Sequence, residues 1–410
     1  MKKVLVVGAG AQGGPCASIL ARDKDVSQIV LGDIDLDLAN KVKEKTKSDK
    51  VTAMKLDAGK AEDIERAAEG VDVIINLVVT WFCSNIMRAA LESGAHYVDA
   101  SFGEPILTQI MEKQPLEFDA EFKKAGLTAL IGCGGSPGIT NVLARYICDK
   151  LDHVDGICIR DGTAAIKEAK EVVGTWEPDW CPERALWGYA TGPTIFENGR
   201  YKKYPPFSGC EEYYFPELLD SLLIAYHQHQ EAITLPRFIG KGTRNVSFKM
   251  AIDPIAGALV KLGFGGSDPI NVKGVRVAPK DVLLNLVKHP VEDFLTEDES
   301  NARAPSRFIE PIIMGIEGEK SGEDAKYTIS WFYSLFANTE EKVAAYRKFG
   351  TTNIAVALPA IAGAKMCADG KAESGVIAPE CLAPTKFLKI MAGMGWPVKF
   401  HEVCSKEVSV

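Results

Sequence analysis

The sequence predicts an α/β protein in which a doubly wound parallel sheet is followed by a second α+β lobe built on an open mixed sheet. Three observations carry that prediction. From residue 1 to about 130, short β-branched runs alternate with longer stretches of helical character, the pattern of parallel strands joined by crossover helices. Gly8-Ala9-Gly10-Ala11-Gln12-Gly13 follows the first of these runs without a gap. After about residue 154 the alternation stops, and strand-like runs are separated by long Gly- and Pro-rich loops.

In chain order, Val4 to Val7 is the first strand, Gln12 to Arg22 the first helix and Gln28 to Leu31 the second strand. Leu36 to Lys47 reads as a helix capped by Asp35. Further strands fit Thr52 to Leu56, Val71 to Leu77, Tyr97 to Val98 and Thr128 to Ile131. Each is short and apolar on both sides, as strands covered on both faces should be. In the second lobe, Val154 to Ile159, Ile233 to Leu235, Val246 to Met250, Ile270 to Val277 and Ile312 to Glu317 read as strands, and Leu222 to Tyr226 as helical. The stretch from Trp176 to Pro216 is dense in aromatics, Gly and Pro and too long for a plain connection, so it is expected to form a lid or an interface. Ile354 to Ala368 reads as an apolar helix and Gly395 to Phe400 as a last short strand. The expected division is a dinucleotide-binding domain over 1–153, a substrate lobe over 154–347 and a C-terminal segment over 348–410.

Composition narrows the function classes. The 410 residues are 46% hydrophobic and 25% charged, which excludes a disordered chain. Lys and Arg number 47 against 55 Asp and Glu, a net charge of -8 with no long basic run, so nucleic acid and anionic membranes are poor partners and a small molecule is expected. Ten scattered cysteines form no C-x-x-C pair and no zinc-type cluster, which speaks against structural metal and for a reducing cytoplasm. Gly8 cuts the opening apolar run too short for a signal peptide, and no stretch has the length of a membrane span.

The glycine run sits where a strand ends and a helix begins. Gly8 and Gly10 allow a tight turn and close approach of a pyrophosphate, Ala11 and Gln12 fill the loop, and Gly13 opens a helix whose partial positive end faces the phosphate. Asp33 ends the second strand 20 residues after Gly13, where a carboxylate for the ribose hydroxyls belongs. Together these are the Rossmann fingerprint. An acid at this place pairs with NAD and repels the 2'-phosphate of NADP, and no Arg follows, so NAD is favoured with NADP as the alternative. Asp57 and Ala58, at the end of the third strand, fall near the adenine or form an ordinary strand-end turn.

Several motifs resemble the saccharopine dehydrogenase family, most nearly its lysine 6-dehydrogenase branch. They are Gly8 to Gly13, Leu56-Asp57-Ala58, His96-Tyr97-Val98-Asp99, and above all Gly135-Ser136-Pro137-Gly138-Ile139-Thr140-Asn141. Trp180-Cys181-Pro182-Glu183 and Gly375-Val376-Ile377-Ala378-Pro379-Glu380 are similar to the family's Trp-Ser-Pro-Glu stretch and closing signature. The resemblance covers nearly the whole chain. It implies a Rossmann lobe, a middle lobe that holds the substrate and builds a homo-oligomer interface, and a C-terminal segment that returns to the first lobe. It also implies an NAD(P)-dependent oxidoreductase acting at a carbon-nitrogen bond of an amino acid such as lysine or saccharopine. Two departures bear on the substrate: Ser136 stands where saccharopine reductases commonly carry Asp, and Cys181 replaces Ser.

Such chemistry needs a proton acceptor for the amine, a cation for a carboxylate and a wall that holds the carbon against the nicotinamide. Asp99, just past a strand at the carboxyl edge of the sheet, is the candidate for the polar group beside the nicotinamide, or else a loop cap. Val79 and Ser101, on neighbouring strand ends, are expected to line the cofactor cleft, with Ser136 in the next loop. Arg244 is the candidate grip for a carboxylate. Trp180 and Glu183 are assigned to the substrate by the resemblance, and Trp176, Trp180 and Trp187 either wall the substrate or pack their segment down. His227 and His229 read as surface or core histidines, and Cys133 as a small buried residue. The competing readings are a non-catalytic dinucleotide-binding sensor or scaffold and an NADP-linked saccharopine reductase.

Overall fold

Two sheets organise the chain. The computed structural model describes residues 2–162, 164–165, 176–178, 180–216, 220–304, 308–309, 311–332, 336 and 338–406. The first sheet uses β1 (Lys2–Val7), β2 (Val26–Asp33), β3 (Val51–Lys55), β4 (Val73–Asn76), β5 (His96–Asp99) and β6 (Thr128–Leu130), with α1 (Gly13–Arg22), α2 (Leu36–Thr46), α3 (Ala61–Ala67), α4 (Cys83–Ser93), α5 (Ile106–Met111) and α6 (Asp119–Ala125) between them. A seventh strand, Gly375–Ile377, comes from the far end of the chain, and the spatial order is Gly375–Ile377, β6, β5, β4, β1, β2, β3, all parallel. Alternate residues of β1 serve different cores. Val4 and Val6 pack with Ala17 and Leu20 of α1, whereas Leu5 and Val7 pack with Ile64, Ile86 and Met87. That is why this strand reads as a continuous apolar run.

Among the described residues the second sheet has nine strands. Its spine runs Arg200–Lys203, Thr194–Glu197, Asn245–Ala251, β7 (His153–Asp161), Pro311–Lys320, Glu323–Phe332 and His401–Lys406, with Asp220–Tyr226 and Glu211–Phe215 added through Asn245–Ala251. It is mixed: β7 runs parallel to Asn245–Ala251 and antiparallel to Pro311–Lys320. Between the sheets lies α7 (Ile139–Cys148), buried along most of its length. The stretch from Trp176 to Pro216 contains α8 (Pro182–Ala190) and strands, and its Asp179 lies outside the described residues.

Several sequence expectations are corrected. Residues 233–235 lie in a helix, α9 (Glu231–Phe238), because packing of Ala232, Ile233 and Leu235 overrides the local strand propensity of Ile and Thr. Residues 222–226, expected helical, belong to the strand Asp220–Tyr226. Ile270 to Val277 is a hairpin of Ile270–Val272 and Val275–Val277, and residues 395–400 precede the last strand rather than form it. In the C-terminal segment the helix Ala357–Ala368 is buried and the strand Gly375–Ile377 pairs with β6 of the first sheet, whereas the last strand pairs with Glu323–Phe332 of the second. Among the described residues no helix is long and apolar enough to cross a membrane.

Candidate active site

The Gly8 to Gly13 loop joins β1 to α1 at the carboxyl edge of the first sheet. Gly8 has a φ of +99°, and a Cβ on Gly13 would lie 1.7 Å from the Gly8 carbonyl oxygen, so the turn closes only with glycine at both places. A Cβ on Gly10 would meet nothing within 4 Å, which leaves that side open for a pyrophosphate against the amino end of α1. The Asp33 carboxylate accepts from the Ala9 N–H at 2.7 Å and the Asp35 N–H at 2.9 Å, so it braces the loop from the end of β2, where ribose hydroxyls reach. Asp35 caps α2 through the N–H groups of Asp37 and Leu38. The Ala11 carbonyl accepts from Asn353 Nδ2 at 3.2 Å, and Gln12 holds a buried side-chain oxygen with no partner among the described residues. These residues fit a dinucleotide.

The sheet order places β2 and β3 on one flank of β1 and β4, β5 and β6 on the other, so the nicotinamide half extends over the loops after β4 to β6. On the adenine flank, Asp57 folds back to accept from the Gly59 N–H at 2.9 Å, beside the buried Ala58. On the other flank, Val79 leads into a short turn, Thr80–Phe82, and its neighbour Val78 would stand 2.9 Å from a Cβ on Gly8. The Ser101 hydroxyl accepts from Gln230 Nε2 at 2.7 Å, and the same amide donates to the Phe102 carbonyl at 3.0 Å. Here the second lobe fastens to the first.

Asp99 is fully buried, and its two oxygens accept from the Gly132 N–H at 2.7 Å and the Tyr97 hydroxyl at 2.8 Å. Burial pushes its carboxyl up to about 7 against those hydrogen bonds. Enclosed in this way, it braces the chain after β6 rather than facing a ligand. Cys133 is likewise buried, its thiol held well up by burial.

The polar groups that do converge on the nicotinamide flank come from three distant segments. The loop after β6 closes tightly, since a Cβ on Gly138 would lie 1.8 Å from the Gly134 carbonyl oxygen. It thereby presents the Ser136 and Thr140 hydroxyls, which donate to Glu231 Oε1 at 2.6 and 2.7 Å. His229 Nδ1 lies 2.5 Å from Glu231 Oε2. Glu231 is fully buried; burial works to raise its pKa but is outweighed by His229 and the two hydroxyls, which hold it below the usual carboxylate range. The His229 ring lies flat on Phe248, centroids 4.0 Å apart at 8°. With Nδ1 tied to a carboxylate, Nε2 is the nitrogen left for a ligand. Asn141 Nδ2 donates to Thr234 Oγ1 at 3.1 Å and to Glu380 Oε2 at 3.0 Å. Glu380 is fully buried, pushed up to about 7 by burial, and its Oε1 has no partner among the described residues. His227 packs edge-on against Tyr189, and burial, with the charges of His229 and Arg184, drives it down to about 3, so it stays neutral.

The residues expected to hold the substrate fall elsewhere. Arg244 is exposed just ahead of Asn245–Ala251, its backbone tied to Asp155 and Gly199. Phe248, under His229, lies four residues further on, about 13 Å along the strand, so Arg244 is remote from the cluster. Trp180 packs with Trp176, Leu186 and Leu283 in a small separate core, and Glu183 is paired with Lys280 at 2.7 Å. The adjacent Arg184, which the sequence did not single out, stacks on Trp187 with its guanidinium carbon 4.1 Å from the ring centroid.

Comparison with known proteins places the chain in a family. Residues 4–130 match the saccharopine dehydrogenase NADP binding domain, and residues 134–396 match the saccharopine dehydrogenase C-terminal domain. Carboxyaminopropylagmatine dehydrogenase of Synechocystis sp. is 25% identical over 415 residues, spanning 98% of both chains. Carboxynorspermidine synthase of Vibrio cholerae is 25% identical over 450 residues, spanning 99% of both. Apo saccharopine dehydrogenase (L-Glu forming) from Saccharomyces cerevisiae shares the fold with a TM-score of 0.67 at 15% identity, covering 98% of this chain and all 100% of that one. Homospermidine synthase from Legionella pneumophila, in complex with NAD, does so with a TM-score of 0.63 at 13% identity, covering 98% and 91%. Both of these full-length sequence relatives carry polyamine names rather than lysine ones. The first lobe is thus a dinucleotide-binding domain, and the chain belongs to the saccharopine dehydrogenase family of NAD(P)-dependent oxidoreductases.

Proposed function

We propose that the protein moves hydride between NAD and the carbon of a carbon-nitrogen bond in an amino-acid-derived amine, with carboxylated polyamines the leading class and lysine or saccharopine next to it. The observation that carries this reading is the Glu231–His229 pair on the nicotinamide flank. A bound nicotinamide supplies the hydride acceptor. His229 Nε2 takes the proton from the amine nitrogen as the carbon-nitrogen single bond becomes an imine, and Glu231 holds the Nδ1 proton and balances the charge that forms on the ring. Water then opens the imine to a carbonyl and a free amine; in the reverse direction, His229 returns the proton. Asp33 favours NAD over NADP by repelling a 2'-phosphate. All ten cysteines are free thiols, which supports a reducing, cytoplasmic setting. Exposed Ile270, Val272, Val275, Tyr214 and Leu223 on the second lobe support self-association there.

The test is formation of NADH, with NADPH measured alongside, across carboxynorspermidine, saccharopine and lysine. Turnover is expected with at least one of them. Tight NAD binding with turnover of none would favour the sensor or scaffold instead.

A further inference from the structure

We infer that Arg184 grips a carboxylate of the substrate and so selects a carboxylated amine over its counterpart without that group. The inference rests on the proposed reaction and supplies the substrate feature that Arg244 was expected to read. Arg184 lies in the first turns of α8, half-buried, with its guanidinium on the face of Trp187. Among the described residues its side chain makes no hydrogen bond and no carboxylate stands within ion-pair distance. Its neighbour Glu183 is already taken by Lys280. A half-buried cation offered only an aromatic face leaves its forked donors unspent.

Its surroundings point to the cleft. One turn further along α8, a Cβ on Gly188 would lie 2.4 Å from His227 Nε2, and Tyr189 meets the same ring at 5.2 Å. The helix is therefore pressed against the segment that carries His229. Arg184, one turn before Gly188 on the same face of α8, thus stands on the side of the helix that meets the His227–His229 segment, whose two rings are 6.0 Å apart. The pyrophosphate loop lies over β1, so the anion that completes Arg184 is a substrate group. A planar carboxylate matches the fork with two parallel hydrogen bonds, which a lysine cannot reproduce.

The test compares carboxynorspermidine, saccharopine and norspermidine, which lacks the carboxylate, in wild type, Arg184→Met and Arg184→Lys. Calorimetric titration of the NADH-loaded protein reads binding without turnover. Wild type should bind a carboxylated amine about tenfold or more tighter than norspermidine, Arg184→Met should erase that margin, and Arg184→Lys should restore only part of it. NADH affinity and melting temperature should stay at the wild-type level. Steady-state kinetics should place the loss in KM rather than kcat. An unchanged margin in Arg184→Met, no binding of either carboxylated amine to wild type, or an equal loss of NADH affinity overturns the inference. If the binding margin behaves as expected but none of the three turns over, the reaction proposed above fails while the role of Arg184 stands.

Discussion

The two flanks of the cleft are built on opposite principles. The dinucleotide flank is a backbone device: a loop of three glycines, the amino end of α1 and one carboxylate, all within residues 8 to 33. It needs absent side chains. The chemical flank is a side-chain device in which Ser136, Thr140 and His229 meet the fully buried Glu231. There an ionised carboxylate survives full burial only because three donors face it. The first flank suits a phosphate group common to many ligands; the second fixes one proton-transfer geometry.

If the flanks are separable in this way, the largest effect belongs to His229→Gln. The kcat should fall by about 10²- to 10⁴-fold, the range for a lost general acid-base, while NADH affinity measured by fluorescence stays as in wild type. A parallel loss of NADH binding would erase the distinction.

The next effect concerns pH and the two buried carboxyls that flank the cluster. Asp99 and Glu380 are both pushed up to about 7 by burial, so the folded protein holds their protons more tightly than the unfolded chain does. Their contribution to stability is complete below the unfolded values near 4 and is lost as pH rises through about 7. The free energy of unfolding in urea should therefore fall between pH 5 and 8, each tenfold difference in proton affinity between the folded and unfolded carboxyl being worth about 1.4 kcal/mol. Asp99→Asn should flatten part of that slope, and an equal slope in the variant would remove Asp99 from the account.

A smaller pair of effects sharpens the dinucleotide flank. Gly13→Ala drives a methyl into the Gly8 carbonyl and should lower the melting temperature, at a cost of about 1–3 kcal/mol, together with NADH affinity. Gly10→Ala has open space and should leave the melting temperature unchanged while weakening NADH binding alone. Equal melting temperatures for the two variants would contradict the loop geometry. Smallest of all, Asp33→Ala should narrow the NAD preference in kcat/KM, and a wild type that prefers NADP would reverse the argument from that residue.

What the sequence discloses follows the same division. The strand, glycine, helix and acid of the first lobe lie side by side in the chain, and each obeys a local rule. Asp35 was legible as a cap because its partners are two and three residues away. The chemical flank obeys no local rule. Ser136 and Glu231 are 95 residues apart, and Asn141 and Glu380 are 239 apart, so only tertiary packing brings them together. His227 and His229 read as ordinary histidines because a spacing of two shares a face only in a strand and Leu222 to Tyr226 before them looked helical, whereas that segment is the strand Asp220–Tyr226. Arg244 had the right chemistry in a plausible loop, but strand direction carries it to the far end. Asp99 had the right sheet edge, yet its side chain is consumed by Tyr97 and Gly132.

The C-terminal segment that closes both flanks has a consequence for synthesis of the protein. Asn353 supports the glycine loop, Phe349 accepts a hydrogen bond from Ser18 of α1 at 2.9 Å, Gly375–Ile377 covers the open edge of β6, and Glu380 meets Asn141. None of these contacts exists while the chain is still being extended on the ribosome, when the first 153 residues have already emerged. The nascent first lobe must wait with an exposed strand edge and unsupported loop until residues 349–380 arrive, a period in which edge pairing with other chains is the chief hazard. Only chains extended through residue 380 acquire these contacts, so a chain interrupted before it should yield a polypeptide with neither flank finished.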